Sequence, residues 1–336
     1  MQYTNYGDVP LPLAVWLAAD RGYDLKYDPY TISATTLQKP VRSVVLSRRI
    51  QEKQAHGTID VSDIVQAKLG TAVHTAIEDA WIYARDLGLQ RLGTPQHIID
   101  RIRVNPEVEE LSEDILPLFM EVRSTREILG ADIGLDRNWK ISGKFDMVWL
   151  GRVRDTKTTK VYNWIAGSND ENYVLQGSIY RWLNPEIITD DFIDVDMLFT
   201  DWSPLKAQVD KSYPPKRIMT KTLPLLSIEE TDAYVRSRLL EIARYVDVPE
   251  EQLPQCTPQE LWMDPPKWAF YKDKTKLARA TKLFDNSAEA HAANAAVGGT
   301  GLVTKREMEP KFCNYCPGRQ ACSQAAGYIE AGILKL

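Results

Sequence analysis

The chain has 336 residues, 44% hydrophobic and 26% charged, which is typical of a globular protein. No apolar run approaches the roughly 20 residues of a membrane span, and the N-terminus lacks the basic start and apolar run of a secretory signal. We therefore expect no membrane partner and a cytoplasmic location. The formal net charge of −5 excludes binding of nucleic acid by bulk charge, so such a partner requires local basic patches.

The first predicted element is a helical segment over residues 1–60. Leu11 to Asp20 has the pattern of a short helix, and Pro29 interrupts the chain after it. A second stretch, 42–50, mixes apolar residues with three arginines: Arg42, Arg48 and Arg49. Two interpretations of these arginines stay open, a solvated helix face or contacts with phosphates.

A long amphipathic helix is predicted from Val61 to about Leu87, because apolar residues recur there at helical spacing. It begins the predicted second domain, residues 61–246. His74 and Glu78 are four residues apart and share one face of this helix. A lone histidine on a helix is usually a structural residue whose hydrogen bonds are satisfied. The carboxylate one turn away is only modest support for a functional role. Residues 95–130 are charged and are predicted to be mostly helical.

The most informative stretch is a predicted β-hairpin. From Trp139 to Trp149 the apolar residues fall mainly on alternate positions, which is the period of a half-buried strand. Leu150 and Gly151 form the predicted turn, and Arg152 to Thr158 is the returning strand.

Two carboxylates on one face of this hairpin carry the chemistry. Pairing back from the turn places Asp146 opposite Asp155, roughly 5 Å away, and Lys157 points from the same face as Asp155. Such a pair attracts a divalent cation with oxygen ligands, and a lysine beside it holds a water or offsets developing negative charge. The alternative is cross-strand ion pairing on a solvated face.

The pattern after the hairpin predicts further elements: a loop at 162–172, a helix at 173–183, a strand at 193–200 and a helix from Ser227 to about Val246. Gln176 and Tyr180 lie four apart on the first of these helices, where packing alone also explains both. Residues 203–221 are basic and broken by prolines, which predicts a strand pair with a mobile loop.

Residues 247–336 are predicted to form a C-terminal lobe. The densest basic run of the chain lies here, between 267 and 282, with aromatic residues interleaved at Trp268, Phe270 and Tyr271. Four lysines of this run are candidate nucleic-acid contacts: Lys267, Lys272, Lys274 and Lys276. The alternative is a solvated hairpin.

Three of the four cysteines lie within ten residues, as Cys313-x2-Cys316-x5-Cys322. With Cys256 they make the four thiolates that an iron–sulfur cluster or a zinc ion requires. The spacing does not separate the two cofactors, and reduced free thiols are the third reading.

Taken together, these segments resemble the RecB-like branch of the PD-(D/E)XK nucleases. The family's motifs occur in the expected order as Gly70-x3-His74-x3-Glu78, Gly143-x2-Asp146, Asp155-Thr156-Lys157-Thr158 and Gln176-x3-Tyr180. The cysteines resemble the iron–sulfur staple of the CRISPR-associated RecB-like exonucleases and the AddAB helicase–nuclease. In those families the lone cysteine precedes the core motifs, whereas Cys256 follows them.

The resemblance implies an α/β fold, in which a PD-(D/E)XK core with a central mixed β-sheet flanked by helices carries a cysteine-stapled C-terminal lobe. It implies Mg²⁺ or Mn²⁺ held by His74, Asp146, Asp155 and the carbonyl of Thr156, with Lys157 orienting the attacking water. Glu78 is implied as a supporting or further ligand, and Gln176 and Tyr180 as residues that position DNA or support the site. A [4Fe–4S] cluster, or zinc in its place, is implied at the four cysteines.

The function so implied is a metal-dependent DNA exonuclease acting on single- or double-stranded ends in recombination, repair or end processing. The compact chain carries no helicase motif, which suggests a viral or mobile-element origin, a host cytoplasm in that case, and a recombinase, annealing protein or helicase as partner. Three alternatives stay open: a structure-specific endonuclease, a non-catalytic DNA-binding protein of the same fold, and a zinc-stapled RNA-processing enzyme.

Overall fold

A computed structural model describes residues 2–19, 28–52 and 58–334. Its contacts divide the chain into two compact units. Unit 1 comprises Met1–Gln38 and His56–Leu240, and unit 2 comprises Lys39–Ala55 and Glu241–Leu336. This division differs from the predicted segments 1–60, 61–246 and 247–336, because residues 39–55 pack with the C-terminal residues. No helix in the described ranges is long and apolar enough to cross a membrane.

The strands follow one another along the chain as β1 (Gln2–Thr4), β2 (Thr31–Ser33), β3 (Thr58–Asp60), β4 (Ile102–Val104), β5 (Leu116–Met120), β6 (Arg123–Ile128), β7 (Trp139–Lys144), β8 (Met147–Trp149), β9 (Arg152–Thr159), β10 (Phe192–Phe199), β11 (Ile218–Pro224), β12 (Lys267–Tyr271), β13 (Lys282–Phe284) and β14 (Leu302–Arg306).

The α-helices are α1 (Leu11–Ala18), α2 (Ala34–Leu37), α3 (Val41–Glu52), α4 (Val65–Tyr83), α5 (Arg85–Arg91), α6 (Gln96–Ile99), α7 (Gly130–Ile133), α8 (Val161–Ala166), α9 (Asp170–Leu183), α10 (Pro204–Val209), α11 (Ile228–Tyr245), α12 (Ser287–Ala296) and α13 (Ser323–Glu330). The predicted first helix thus ends at Ala18, and Asp20 lies outside the described residues.

Unit 1 has a mixed α/β fold with helices flanking mixed sheets. Its largest sheet has six strands in the order β11-β10-β9-β8-β5-β4, in which β9–β10 and β4–β5 are parallel and the other pairs antiparallel. A second sheet has the order β2-β7-β6. Phe145, Val153 and Val195 are fully buried in the core between these elements.

The predicted hairpin is confirmed in its register: Trp149 pairs with Arg152 and Val148 with Val153. Leu150 and Gly151 form the turn, with φ of 50° and 83°. The strand predicted over 139–149 is wrong in one respect, because it is two strands. The chain leaves the sheet of β7 at Phe145, whose ring is fully buried, and enters the six-stranded sheet at β8. Asp146 lies at this junction.

Helix α9 packs closely on β7 because position 143 has no side chain. A Cβ on Gly143 would lie 2.6 Å from Leu183 Cδ1 and 3.0 Å from Tyr180 Cδ1. The glycine of the Gly-x2-Asp motif therefore lets the helix that carries Gln176 and Tyr180 approach the strand that leads to Asp146.

Three predictions about the secondary structure of unit 1 are wrong. The regular structure in residues 95–130 consists mainly of the strands β4, β5 and β6, because the apolar run 116–120 is a largely buried strand that pairs with β4 and β8. Residues 203–221 contain a helix, α10, capped by the Ser203 hydroxyl, and then β11. The predicted loop at 162–172 is largely helix α8 and the start of α9.

The helix predicted from Ser227 begins there with a capping box, formed by Ser227 and the glutamate three residues later. The Ser227 amide donates to Glu230 Oε2, and the Glu230 amide donates to Ser227 Oγ, at the N-terminus of α11. The same pattern at Thr257 and Glu260 forms both hydrogen bonds but is followed only by a turn.

Unit 2 contains an antiparallel sheet with the order β13-β12-β14, against which α12 packs. A separate apolar cluster of this unit surrounds Leu261, Phe312, Cys313 and Ala325, and the other three cysteines pack against it. Helix α3 also belongs to this unit.

Candidate metal centre and cysteine site

The centre of the candidate site in unit 1 is the Asp146 carboxylate. Asp146 Oδ2 lies 3.3 Å from His74 Nδ1 on α4 and accepts a 2.9 Å hydrogen bond from the Thr156 amide on β9. Helix α4 and the hairpin are therefore joined at this one oxygen. The amide of Thr156 holds Asp146 in place, while the predicted role of its carbonyl as a metal ligand stays a prediction.

Asp155 and Lys157 lie side by side on the same face of β9. Asp155 is 1% exposed, and its Oδ2 lies 2.7 Å from Lys157 Nζ. Gln176 Nε2 lies 2.7 Å from the Tyr180 hydroxyl and 3.4 Å from Asp155 Oδ1. The structure thus brings four of the predicted residues into one connected group around a buried carboxylate.

A residue that sequence reasoning missed completes a possible ligand set. Within the described residues, His74, Glu121 and Asp146 are a group whose potential ligand atoms all lie within 4.8 Å of one another. Glu121 sits in the β5–β6 turn at φ 54°, its amide donates to the Asp146 carbonyl, and its carboxylate is paired with Lys144. The one signal in the sequence is a carboxylate that directly follows a buried apolar strand.

Two other residues, Glu78 and Tyr173, neighbour the candidate site. Glu78 lies one turn beyond His74 on α4, half-buried, and is not a member of the three-ligand group. Tyr173, also missed from the sequence, lies on α9 with its ring 5.8 Å from Lys157 Nζ. Tyr173 therefore limits the space around the lysine ammonium.

Burial and charge set the protonation of the carboxylates. Burial raises the pKa of Asp155, and it outweighs the opposing effect of Lys157. Burial also acts to raise the pKa of Asp146, but the hydrogen bond and charge of His74, with the charge of Lys157, outweigh it and leave this pKa lowered. Neighbouring carboxylates whose pKa values move apart are frequent at functional sites.

The two basic groups hold their protons more firmly than usual. The hydrogen bond to Asp146 raises the pKa of His74. Burial acts to lower the pKa of Lys157, but the adjacent Asp155 charge outweighs it, so this pKa is raised. Lys157 is therefore an ammonium at neutral pH and acts as a donor of hydrogen bonds, not as a base.

The residues present fit a hard divalent cation. Carboxylate oxygens with one imidazole nitrogen suit Mg²⁺ or Mn²⁺. Within the described residues, the buried Asp155 Oδ2 accepts no well-aligned hydrogen bond, so it retains a lone pair for a ligand. His74, Glu121 and Asp146 are the side chains that would hold the ion, whereas the predicted ligand Asp155 lies outside this three-ligand group, next to the residue whose amide binds Asp146.

Binding of Mn²⁺ is expected to strengthen as the pH rises. In the metal-free protein the His74–Asp146 pair stabilises the fold fully below the ordinary histidine pKa near 6.5, and this stabilisation is lost as the pH rises through the raised pKa. A metal ion must displace that proton, so affinity should rise by up to about tenfold per pH unit until His74 is neutral. Calorimetry from about pH 5.5 to 8.5 measures this, and His74→Asn should flatten the slope. A Mn²⁺ affinity that does not change over this pH range would contradict the site.

Glu121→Gln is expected to weaken Mn²⁺ binding by at least about tenfold. Even a residue that only hydrogen-bonds to a metal ligand changes metal affinity by about this factor when it is replaced. Glu127→Gln, at an exposed position of β6, is the matched control and should bind as the wild type does. Equal affinity of the two variants in calorimetry would show that Glu121 is only the partner of Lys144.

In unit 2 the four cysteines line one cavity, together with Arg42, Ser43 and Arg319. None of them forms a disulfide. Burial raises the pKa of Cys256 to about 12 and that of Cys313 to about 11, so without a cofactor both are thiols. The distant Cys256 and the C-terminal three thus meet at one place.

Both interpretations of the arginines at 42–50 are wrong for Arg42. Arg42 is 3% exposed, so it is neither on a solvated face nor available to a phosphate. Arg49 donates to the backbone carbonyls of Val246 and Val248. The first turns of α3 are mostly apolar and are buried inside unit 2.

The basic run of unit 2 is an exposed loop on a buried strand. Lys272, Lys274 and Lys276 are exposed between β12 and β13, where Lys276 lies 3.8 Å from Asp273, and Lys267 is paired with Asp285. Phe270 and Tyr271 are buried in the β12 sheet, so the expected stacking of bases on these two rings is wrong.

No family model matches the sequence, and no curated protein matches it. The fold is similar in part to the crystal structure of SSO0001, with a TM-score of 0.40 and 16% identity over 67% of this chain and 81% of that chain. It is similar over a smaller part to a phage related exonuclease from Haemophilus somnus 129PT, with a TM-score of 0.23 and 17% identity over 35% of this chain and 63% of that chain. This chain therefore spans less than two thirds of the exonuclease, and both likenesses are partial and distant.

Proposed function

We propose that this protein is a metal-dependent nuclease that hydrolyses phosphodiester bonds of DNA, with an exonuclease preferred to an endonuclease. The observation that carries the proposal is the arrangement around Asp146 and Asp155. A three-ligand group of His74, Glu121 and Asp146 lies in contact with a strand on which the buried Asp155 is paired with Lys157. These residues supply candidate ligands for an ion and a protonated donor beside them, and this combination supports hydrolysis of a phosphodiester.

The protein residues have separate tasks in this reaction. A bound Mg²⁺ or Mn²⁺ supplies Lewis-acid polarisation of the phosphate and a more acidic water. Lys157 holds the attacking water or a phosphate oxygen by hydrogen bonding, and its positive charge offsets the charge that builds up on phosphorus oxygens. Water adds to phosphorus and releases a proton to the solvent, the bond to one ester oxygen breaks, and that oxygen leaves as a hydroxyl after taking up a proton from the solvent.

Gln176 and Tyr180 support this arrangement from α9. Gln176 is within reach of both the Tyr180 hydroxyl and Asp155 Oδ1, whereas Lys157 contacts the other oxygen of this buried carboxylate. We assign them to support of Asp155 and not to direct contact with DNA.

The test is degradation of end-labelled linear DNA, single- and double-stranded, beside a closed circle, with Mn²⁺, Mg²⁺ or EDTA. Metal-dependent loss of linear DNA with an intact circle is the expected result. Cutting of the circle would replace the exonuclease by an endonuclease. DNA binding without cutting would favour a non-catalytic protein or a helicase or recombinase partner, and cutting of RNA alone would favour RNA processing.

The exposed lysines of the β12–β13 loop are proposed to hold the DNA backbone. The triple variant of Lys272, Lys274 and Lys276 to alanine should weaken binding, and the slope of log affinity against log salt should fall by about 2. Lys305→Ala, at an exposed lysine of β14 paired with Glu307, is the control. Fluorescence anisotropy at several salt concentrations measures both, and an unchanged slope would leave the loop a solvated hairpin.

For the cysteines we propose a [4Fe–4S] cluster in preference to zinc. Thiolates around one zinc ion, with Zn–S near 2.3 Å, lie roughly 3.8 Å apart. The four sulfurs line one cavity, yet among the described residues they do not form a group within 4.8 Å of one another. This wider spacing suits a larger cofactor. A brown protein that contains iron and bleaches on reduction is expected, and a colourless protein with stoichiometric zinc would overturn the assignment.

A further inference from the structure

Helix α3 packs directly against the segment between Cys313 and Cys322 in unit 2. A Cβ on Gly318 would be 2.8 Å from Leu46 Cβ and 3.2 Å from the Ser47 amide, so only a residue without a side chain permits this approach. The approach brings the first turn of α3, with Arg42 and Ser43, to the cavity that the cysteines line.

The guanidinium of Arg42 is buried, and each of its three nitrogens has a hydrogen-bond partner. Its Nε lies 3.2 Å from Cys322 Sγ, one terminal nitrogen donates to the Leu253 carbonyl at 3.0 Å, and the other donates to Ser323 Oγ at 2.9 Å and pairs with Glu250. Glu250 in turn accepts from the Ser323 amide at 3.0 Å. A buried guanidinium is costly unless all its donors are matched, so this set fixes the direction of the Nε–H bond. That bond points at a sulfur.

Ser43 makes the corresponding contact to a second cysteine. Its hydroxyl is buried and lies 3.2 Å from Cys316 Sγ. A metal-bound sulfur is a thiolate and can only accept, so with a cofactor present the hydroxyl is the donor. Two neighbouring residues of one helix thus contact two different sulfurs.

Resting on the proposed iron–sulfur cluster, we propose that Arg42 and Ser43 are positioning residues that raise its reduction potential through hydrogen bonds to Cys322 and Cys316. Hydrogen bonds to ligand sulfurs withdraw charge from the thiolates and stabilise the more negative, reduced cluster. The positive charge of Arg42 adds to this effect, and Glu250 holds the side chain in place. This role explains why an arginine is buried in a cysteine cavity.

The decisive variants change the hydrogen bonds with little change in volume. Ser43→Ala removes one donor, and Ser47→Ala, whose hydroxyl donates to the Ser43 carbonyl, is its control on the same helix. Arg42→Lys keeps the charge but removes the Nε–H donor. Arg49→Lys is its control, because Arg49 donates to backbone carbonyls and to no sulfur among the contacts that the structure describes.

The measurement is the midpoint potential of the cluster in the full-length protein, from a redox titration followed by electron paramagnetic resonance. Ser43→Ala and Arg42→Lys should each make reduction about tenfold less favourable, a shift of 59 mV to lower potential for one electron. The two controls should match the wild type. If Arg42→Lys fails to fold, Ser43→Ala still decides.

The outcomes separate this inference from the proposals on which it depends. A colourless protein without iron would overturn the cofactor and this inference together, while leaving the nuclease site of unit 1 to its own test. A brown Ser43→Ala protein with an intact cluster and an unchanged potential would overturn this inference alone.

Discussion

Lys157→Ala is expected to lower the rate of DNA degradation by about 10²- to 10³-fold, which is the usual loss when one donor that stabilises developing charge is removed. The ammonium lies 2.7 Å from Asp155 Oδ2, and the pKa of Lys157 is raised, so it is charged throughout the neutral range. Steady-state degradation of labelled linear DNA with saturating Mn²⁺ measures the effect.

The loss of catalytic rate must be distinguished from a loss of Mn²⁺ binding or of DNA binding. Removal of Lys157 leaves the buried Asp155 without its counterion, so calorimetry with Mn²⁺ and anisotropy with DNA accompany the rate measurement. Lys160→Ala, an exposed lysine just before α8, is the matched control and should keep the wild-type rate. A Lys157→Ala protein that cuts at the wild-type rate would remove Lys157 from the reaction.

Cys313→Ser is expected to lose the cofactor and to destabilise unit 2 by at least about 4 kcal/mol, the contribution of a ligand present at a thousand times its dissociation constant. Cys313 is buried within the apolar cluster of Leu261, Phe312 and Ala325, and the other three cysteines pack against this cluster, so a cofactor bound by all four would tie these parts of unit 2 together. Iron content, visible absorbance and urea denaturation of the full chain measure the two effects.

Asn314→Ala is the control for this variant, because Asn314 is exposed beside Cys313 and contacts Glu309. It should keep both iron and stability. Equal iron content and an equal urea midpoint in Cys313→Ser would mean that the cysteines do not share a cofactor.

The two proposed sites differ in how the chain assembles them. The metal centre is built from a helix and a hairpin whose residues lie between 74 and 157, with a turn that adds Glu121. The cysteine site joins residues near 42, 250 and 320, so it forms only when distant parts of unit 2 meet. Loss of the cofactor should therefore affect the stability of unit 2 more than the geometry around Asp146.

Local patterns were enough for the elements with a strong period. The alternation of apolar residues and the turn at Leu150 and Gly151 determined the register of the hairpin. The four-residue spacing placed His74 and Glu78 on one helix face, and the capping pattern at Ser227 determined the start of α11. These features depend on neighbours within a few residues, and the sequence lists such neighbours directly.

The tertiary structure alone decided what depends on contacts between distant residues. Glu121 enters the ligand group through a turn that its spacing from Asp146 does not predict, and the strand over 139–149 divides because Phe145 turns into a core made by other elements. Arg42 has the local pattern of a solvated helix face, yet it is buried beside a cysteine 280 residues away. A sequence pattern reports how polar a position is, whereas burial and charge pairing depend on which surface the fold places against it.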